Sequence, residues 1–219
     1  GIGNPVQHFK WPSLEQFKNP ISEFIPVARV SDMLLQPGKV FSYNGNEIKY
    51  PDIKLVYWAG GNPFHHQMNL KKLIKAFKQP DTIIVNEIWW NSLARHADII
   101  FPTTTTLERN DIGFRHWEQT GSPMHKAIDP IGNSRNDFDI FSLISEKLGI
   151  KEQFTENKNE EEWLKTLWDE AKESARENNF YLPDFDQFWN GGFFEVLKPT
   201  HEQILMEDFV KKPKQFPLS

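Results

Sequence analysis

Short apolar runs bounded by turn residues alternate with apolar positions at helical spacing through the middle of the chain. Ile53-Lys54-Leu55-Val56-Tyr57-Trp58 is such a run, set between Pro51-Asp52 and Gly60-Gly61-Asn62-Pro63, and it predicts a buried strand. Leu70, Leu73, Ile74 and Phe77 follow at i, i+3, i+4, i+7, with Lys71, Lys72, Lys75 and Lys78 on the other side and Pro80 as the stop. That spacing predicts an amphipathic helix. Thr82-Ile83-Ile84-Val85 predicts a second strand, Ser92 to His96 a helical turn, and Ala97-Asp98-Ile99-Ile100-Phe101 a third strand ending at Pro102. Strand, helix, strand, short helix, strand points to an α/β fold: a Rossmann-like parallel sheet with flanking helices.

The flanks read differently. Pro5, Pro12, Pro20 and Pro26 leave an extended lead-in, Val27 to Leu35 predicts a short helix, and Tyr43-Asn44-Gly45-Asn46 predicts the turn of a two-stranded hairpin. Beyond Pro123 a strand is expected over Lys126-Ala127-Ile128. A helix is expected from Asn136 to Leu148, with Phe138, Phe141, Ile144 and Leu148 inward and Gly149 just past its end. Residues 151–160 are polar and acidic, and Trp163, Leu164, Leu167, Trp168 and Ala171 mark one side of a helix reaching Asn178. Tyr181 to Gly192 reads as an aromatic loop. The expected organisation is a lead-in with short helix and hairpin over 1–50, a dinucleotide-binding α/β core over 51–150, and helical and aromatic cover over 151–219.

Composition removes several classes of function. The net charge is −5, with acidic and basic residues intermixed, so no basic patch marks a nucleic-acid partner. No window approaches the length of apolar sequence a membrane span needs. The absence of cysteine excludes disulfides, thiolate metal sites and cysteine nucleophiles from this stretch. The chain starts at Gly1-Ile2-Gly3 and stops in a Pro-interrupted segment, which reads as an excerpt of a longer polypeptide.

Three groups of residues could carry chemistry. Gly60-Gly61-Asn62-Pro63 leaves the carboxyl end of a predicted parallel strand, where glycines let backbone N–H groups approach phosphate oxygens; taken alone, such a tetrapeptide also serves as a plain turn. Asn86-Glu87 follows the second strand, where a polar pair either holds a ribose or base edge or simply begins a loop. Arg95-His96-Ala97-Asp98 and the segment from Pro102 to Gly113 concentrate hydroxyls, charges and amides, which a polar ligand or solvent must satisfy. His65, His66 and His96 lack metal-ligand spacing, and no nucleophile pairs with Glu108, so neither a metal site nor a catalytic constellation is expected here.

Taken together, Phe24 to Leu35 (FIPVARVSDMLL), Trp58 to Gln67 (WAGGNPFHHQ), Ala94 to Ile100 (ARHADII), Thr104 to Gly113 (TTTLERNDIG) and Leu182 to Asp186 (LPDFD) resemble the dimethyl sulfoxide, trimethylamine N-oxide and biotin sulfoxide reductases. The resemblance implies one domain of a larger multidomain molybdenum enzyme that binds bis(molybdopterin guanine dinucleotide) and removes oxygen from S-oxides or N-oxides. It implies cofactor contacts from Gly60, Gly61, Asn62, His66, Asn86, Glu87, Arg95, Asp98, Thr105, Arg109 and Asp111, and a metal ligand elsewhere in the polypeptide, so that this stretch alone is expected to be inactive. The implied partners are the remaining domains, a small oxide substrate and an electron donor, with a periplasmic location and a cytoplasmic one as the alternative. A free-standing nucleotide-binding module, or an aromatic protein-docking surface around 160–194, is the alternative reading.

Overall fold

The computed structural model describes residues 11–21, 24–114, 120–195 and 206–215. They divide between two compact units, one of 17–21, 24–109 and 128–156, the other of 11–16, 110–114, 120–127, 157–195 and 206–215.

The first unit opens with a 3-10 turn (Val27–Arg29) running into α1 (Val30–Leu35), then an antiparallel hairpin, β1 (Val40–Tyr43) and β2 (Asn46–Lys49). Asn44 and Gly45 adopt φ of 49° and 77° at its tip, as a tight two-residue hairpin turn requires. A three-stranded parallel sheet follows: β3 (Leu55–Ala59), β4 (Thr82–Glu87) and β5 (Ile99–Pro102), in that spatial order. Between β3 and β4 lie α2 (Pro63–His66) and α3 (Leu70–Ala76); a 3-10 turn (Ala94–His96) links β4 to β5. The expected α/β fold and its three strands are present.

Alternation along the strands divides the core into two layers. Ile83 and Val85 of β4 face Leu34, Phe64, Leu73, Ala76, Phe77 and Leu93, with Val56, Trp58 and Ile100 packed alongside. Tyr57 faces the opposite way, its ring centroid 5.4 Å from Phe141 of α4 (Asp137–Lys147). Asn136 caps α4 by accepting from the Asp139 amide at 2.7 Å. The polar stretch after α4 includes a short helix, α5 (Lys151–Thr155), anchored where Phe154 packs on Phe138 at 5.8 Å.

Beyond β5 the chain turns through Thr103–Arg109, and the turn is organised by one buried carboxylate. Glu108 accepts from the Thr105 amide at 2.7 Å and hydroxyl at 2.8 Å, and from the Ile131 amide at 2.7 Å. These bonds, led by that of the Thr105 amide, hold the Glu108 carboxyl below its ordinary value of 4.5.

The second unit contains an antiparallel sheet of β6 (Asp111–Gly113), β7 (Thr120–Met124) and β8 (Phe194–Glu195). The strand expected over Lys126–Ile128 is thus displaced to Thr120–Met124 and contains Pro123. Proline is tolerated there because residues 122–124 pair only with β6 among the described residues, leaving no ladder N–H to lose on the other side. Helix α6 (Glu160–Glu177) starts at a reciprocal capping box between Asn159 and Glu162. Trp168 of α6 is fully buried, stacks on Phe188 at 3.8 Å and 7°, and donates its indole N–H to the Pro183 carbonyl at 2.9 Å. Phe188 belongs to α7 (Phe185–Gly191); the segment expected as an aromatic loop is helical because Phe185, Phe188 and Trp189 fall at i, i+3, i+4. A short α8 (Glu207–Lys211) follows. No helix among the described residues is long and apolar enough to cross a membrane.

Two outcomes test this packing. Trp168→Ala removes the stacked ring at the centre of its cluster and should cost about 3–5 kcal/mol of unfolding free energy, read by urea denaturation. Because the folded Glu108 carboxyl titrates lower than the unfolded one, its contribution to stability is complete above the ordinary glutamate value and is lost as pH falls through the depressed one. Glu108→Gln should therefore lower stability at neutral pH and flatten its decline below about pH 4.5, relative to the parent chain.

Candidate functional site

Since β3, β4 and β5 are parallel and paired Ala59 to Asn86, Asn86 to Phe101 and Glu87 to Pro102, their carboxyl ends lie side by side. Spatial order follows chain order, so these three strands contain no reversal of the kind that opens a crevice in larger doubly wound sheets. The candidate site therefore rests on the strand ends and the segments leaving them.

Gly60 and Gly61 leave β3 with φ of 79° and 73°, the left-handed region that favours glycine, and a Cβ built on either would meet no atom within 4 Å. The space above them is open, so the glycines serve the backbone path and leave their surface clear for a ligand. Asn62 caps α2, its side-chain oxygen accepting from the Phe64 amide at 3.0 Å. Its amide nitrogen is buried and has no partner. Thr104, beyond the end of β5, has a buried hydroxyl in the same condition. Buried polar atoms are rarely left unmatched in a folded protein. Two of the three such side-chain atoms among the described residues, the third being Ser142 Oγ, lie just past strand ends on this edge.

Asn86 sits between them at the end of β4. Strand alternation turns it toward α4, where it accepts from the Tyr57 hydroxyl at 2.8 Å and donates to Asp137 Oδ1 at 2.7 Å. The amide is thereby fixed in orientation, with one N–H still unengaged. Burial, then the neighbouring Asp137 charge, raises the Tyr57 hydroxyl above its ordinary pKa, so it remains a donor. The chain segment before α4 reaches this edge because Thr103 bridges Arg135 in parallel and the Thr104 amide donates to the Arg135 carbonyl at 3.1 Å. Asp137, exposed in the first turn of α4, is a site residue that the sequence reading missed. The signal was the helix start at Asn136, which places the next residue at a helix N-terminus without saying that this terminus meets β4.

The other predicted residues separate. Glu87 closes the loop after β4, accepting from the Ile88 amide at 2.9 Å, the Trp89 amide at 3.3 Å and the Asn91 side chain at 2.6 Å. Thr105 and Arg109 belong to the turn beyond β5; Thr105 is held by Glu108, and Arg109 donates to the Thr104 carbonyl at 3.3 Å. His66, exposed at the end of α2, borders a cleft of about 450 Å³ with Ser31, Asp32, Asn69 and Lys72. In that cleft Asp32 is paired with Lys72. Arg95 is exposed on the 3-10 turn before β5. Asp98 is not with the others: its carboxylate accepts from the Ile83 amide at 2.8 Å, at the amino end of β4. Asp111 lies in the second unit. His65 and His66 are exposed, and His96 bonds the Ser92 carbonyl at 2.7 Å. Among the described residues no three His, Asp or Glu side chains gather as a metal site.

Comparisons with known proteins agree with this architecture. The chain is 45% identical over 193 residues to the biotin sulfoxide reductase of Cereibacter sphaeroides, covering 88% of this chain and 26% of that protein. It is 48% identical over 198 residues to the trimethylamine-N-oxide reductase of Haemophilus influenzae, covering 88% and 24%. The chain thus spans about a quarter of the length of these curated relatives. Its fold is similar to that of the acetylene hydratase of Pelobacter acetylenicus, with a TM-score of 0.50 at 14% identity over 68% of this chain and 19% of that one. Residues 4–147, which include the whole parallel sheet and α4, match the family model described as molybdopterin oxidoreductase, and the chain belongs to the molybdopterin oxidoreductase family.

Proposed function

We propose that the carboxyl edge of the parallel sheet holds a molybdopterin guanine dinucleotide, one of a pair bound by a larger molybdenum enzyme that removes oxygen from S-oxides or N-oxides. The observation that carries this reading is the convergence on one edge of two open positive-φ glycines and two orphaned buried polar atoms, Asn62 Nδ2 and Thr104 Oγ1. A molybdopterin group with a nucleotide tail fits such a donor set: its diphosphate offers acceptors to backbone N–H groups and an amide, and its base offers a hydrogen-bonding edge.

In this reading Gly60, Gly61 and Asn62 hold the diphosphate from the end of β3. Asn86, with its free N–H, and Asp137, with an exposed carboxylate, read the guanosine portion, since guanine presents both an acceptor and donors along its edge. Glu87 positions the loop that borders it. Thr104, Thr105 and Arg109 close the site from the β5 side, and His66 and Arg95 line its approach. Asp98, committed to the Ile83 amide, is assigned to the sheet. When bound, the pterin-held molybdenum supplies two-electron redox and oxygen-atom chemistry. The residues of this chain bind and orient the group and keep its nucleotide end in register.

The names of the relatives support oxide reduction as the activity of the intact protein, with the remaining domains of the same polypeptide, an electron donor and a small S-oxide or N-oxide as partners. The same likeness supports a periplasmic location. Calorimetry with GDP, and with ADP as control, tests the site. The parent chain should bind GDP in preference to ADP. Asn86→Ala should reduce that preference, while Gly61→Val, strained at φ 73°, should weaken both nucleotides by about tenfold or more. Equal, unaltered affinities in all three proteins would contradict the assignment.

A further inference from the structure

The loop after β4 presents two adjacent tryptophans to solvent. Trp89 is 68% exposed and Trp90 66%, whereas the other described tryptophans are buried or half-buried. Neither indole makes a ring contact or a hydrogen bond among the described residues. The backbone beneath them is nonetheless tightly held. Glu87 accepts from the Ile88 and Trp89 amides and from the Asn91 side chain. The Asn91 amide donates to the Trp89 carbonyl at 2.8 Å, and Asn91 Oδ1 accepts from the Ala94 amide at 3.0 Å. Five hydrogen bonds thus fix a loop whose largest side chains stay about two-thirds exposed.

A rigid support under exposed aromatic rings suits a stacking platform. Two flat, electron-rich surfaces follow Asn86 by three and four residues, in the loop that leaves the edge where Asn62 and Thr104 hold unmatched polar atoms. We infer that the Trp89–Trp90 pair stacks against the purine base of the bound dinucleotide, supplying affinity that does not depend on base identity. The inference rests on the nucleotide reading of this edge and divides labour within it. Asn86 and Asp137 discriminate between bases through hydrogen bonds; the tryptophans hold whichever base is present through its π-face, an interaction every base offers.

This division gives a distinctive readout. Binding of GDP, ADP and inorganic pyrophosphate to the 219-residue chain is followed by tryptophan fluorescence and by calorimetry, with Trp89→Ala/Trp90→Ala and Trp89→Phe/Trp90→Phe as variants. Both side chains are exposed, so each variant should keep the fold, which thermal unfolding checks. The alanine pair should weaken GDP and ADP by a similar factor, about 5- to 100-fold, leave their ratio unchanged and leave pyrophosphate binding intact. The phenylalanine pair should recover much of the lost affinity. Unchanged GDP binding in the alanine pair, or an equal loss of pyrophosphate binding, overturns the stacking role while the nucleotide site stands. If the parent chain binds pyrophosphate but neither nucleotide, or none of the three ligands, the nucleotide reading itself fails and the stacking role falls with it.

Discussion

Because β3, β4 and β5 run parallel and in step, their backbones end together, at Ala59, Glu87 and Pro102, and everything that leaves the sheet does so from one edge. Each exit follows a different local rule. Two positive-φ glycines turn the chain into a capped helix after β3, a carboxylate ties down the loop after β4, and Glu108 gathers the turn after β5. The candidate site is the sum of these three exits. A one-residue slip of β4 against its neighbours would carry Asn86 from the α4 face to the other, away from Tyr57 and Asp137, and would dismantle the site while leaving three strands paired.

The electrostatics of the edge follow from the same geometry. Asn86 is neutral and oriented by two neighbours of different kinds, a hydroxyl that only donates to it and a carboxylate that only accepts. Glu108 is charged but fully engaged by amide and hydroxyl donors within its own turn. Asp137 keeps an exposed carboxylate at this edge, Asn62 and Thr104 hold buried polar atoms without partners, and Asn86 uses its amide nitrogen for one bond, to Asp137. A ligand satisfying this pattern presents several acceptors and a few donors, which a diphosphate and a guanine edge supply together.

Much of this was legible in the sequence, and the reasons are local. The apolar runs at 53–58 and 82–85, the lysine-faced helix from Leu70 and the Gly60-Gly61-Asn62-Pro63 turn are specified by residues close to one another, so periodicity and turn chemistry find them. The likeness to oxide reductases likewise rests on contiguous blocks. What escaped depends on contacts between distant segments. Asp137 matters because the Thr103–Arg135 bridge brings its helix to β4, 51 residues from Asn86 in sequence. Asp98 reads as a ligand residue until the Ile83 amide claims it. Strand β7 lies at Thr120–Met124 and not at Lys126–Ile128 for the same reason: a pairing with β6 that tolerates Pro123 is a tertiary fact.

The central claim, that the carboxyl edge of the sheet is the nucleotide-binding surface, is tested most directly by mapping amide chemical-shift changes as GDP is titrated into the isotopically labelled chain. The account predicts that shifts cluster at 60–66, 86–91, 103–109 and 136–137, with Ile83 and Asp98 at the opposite end of the sheet unmoved. Shifts centred on Ile83 and Asp98, or scattered without focus on the strand ends, would contradict it.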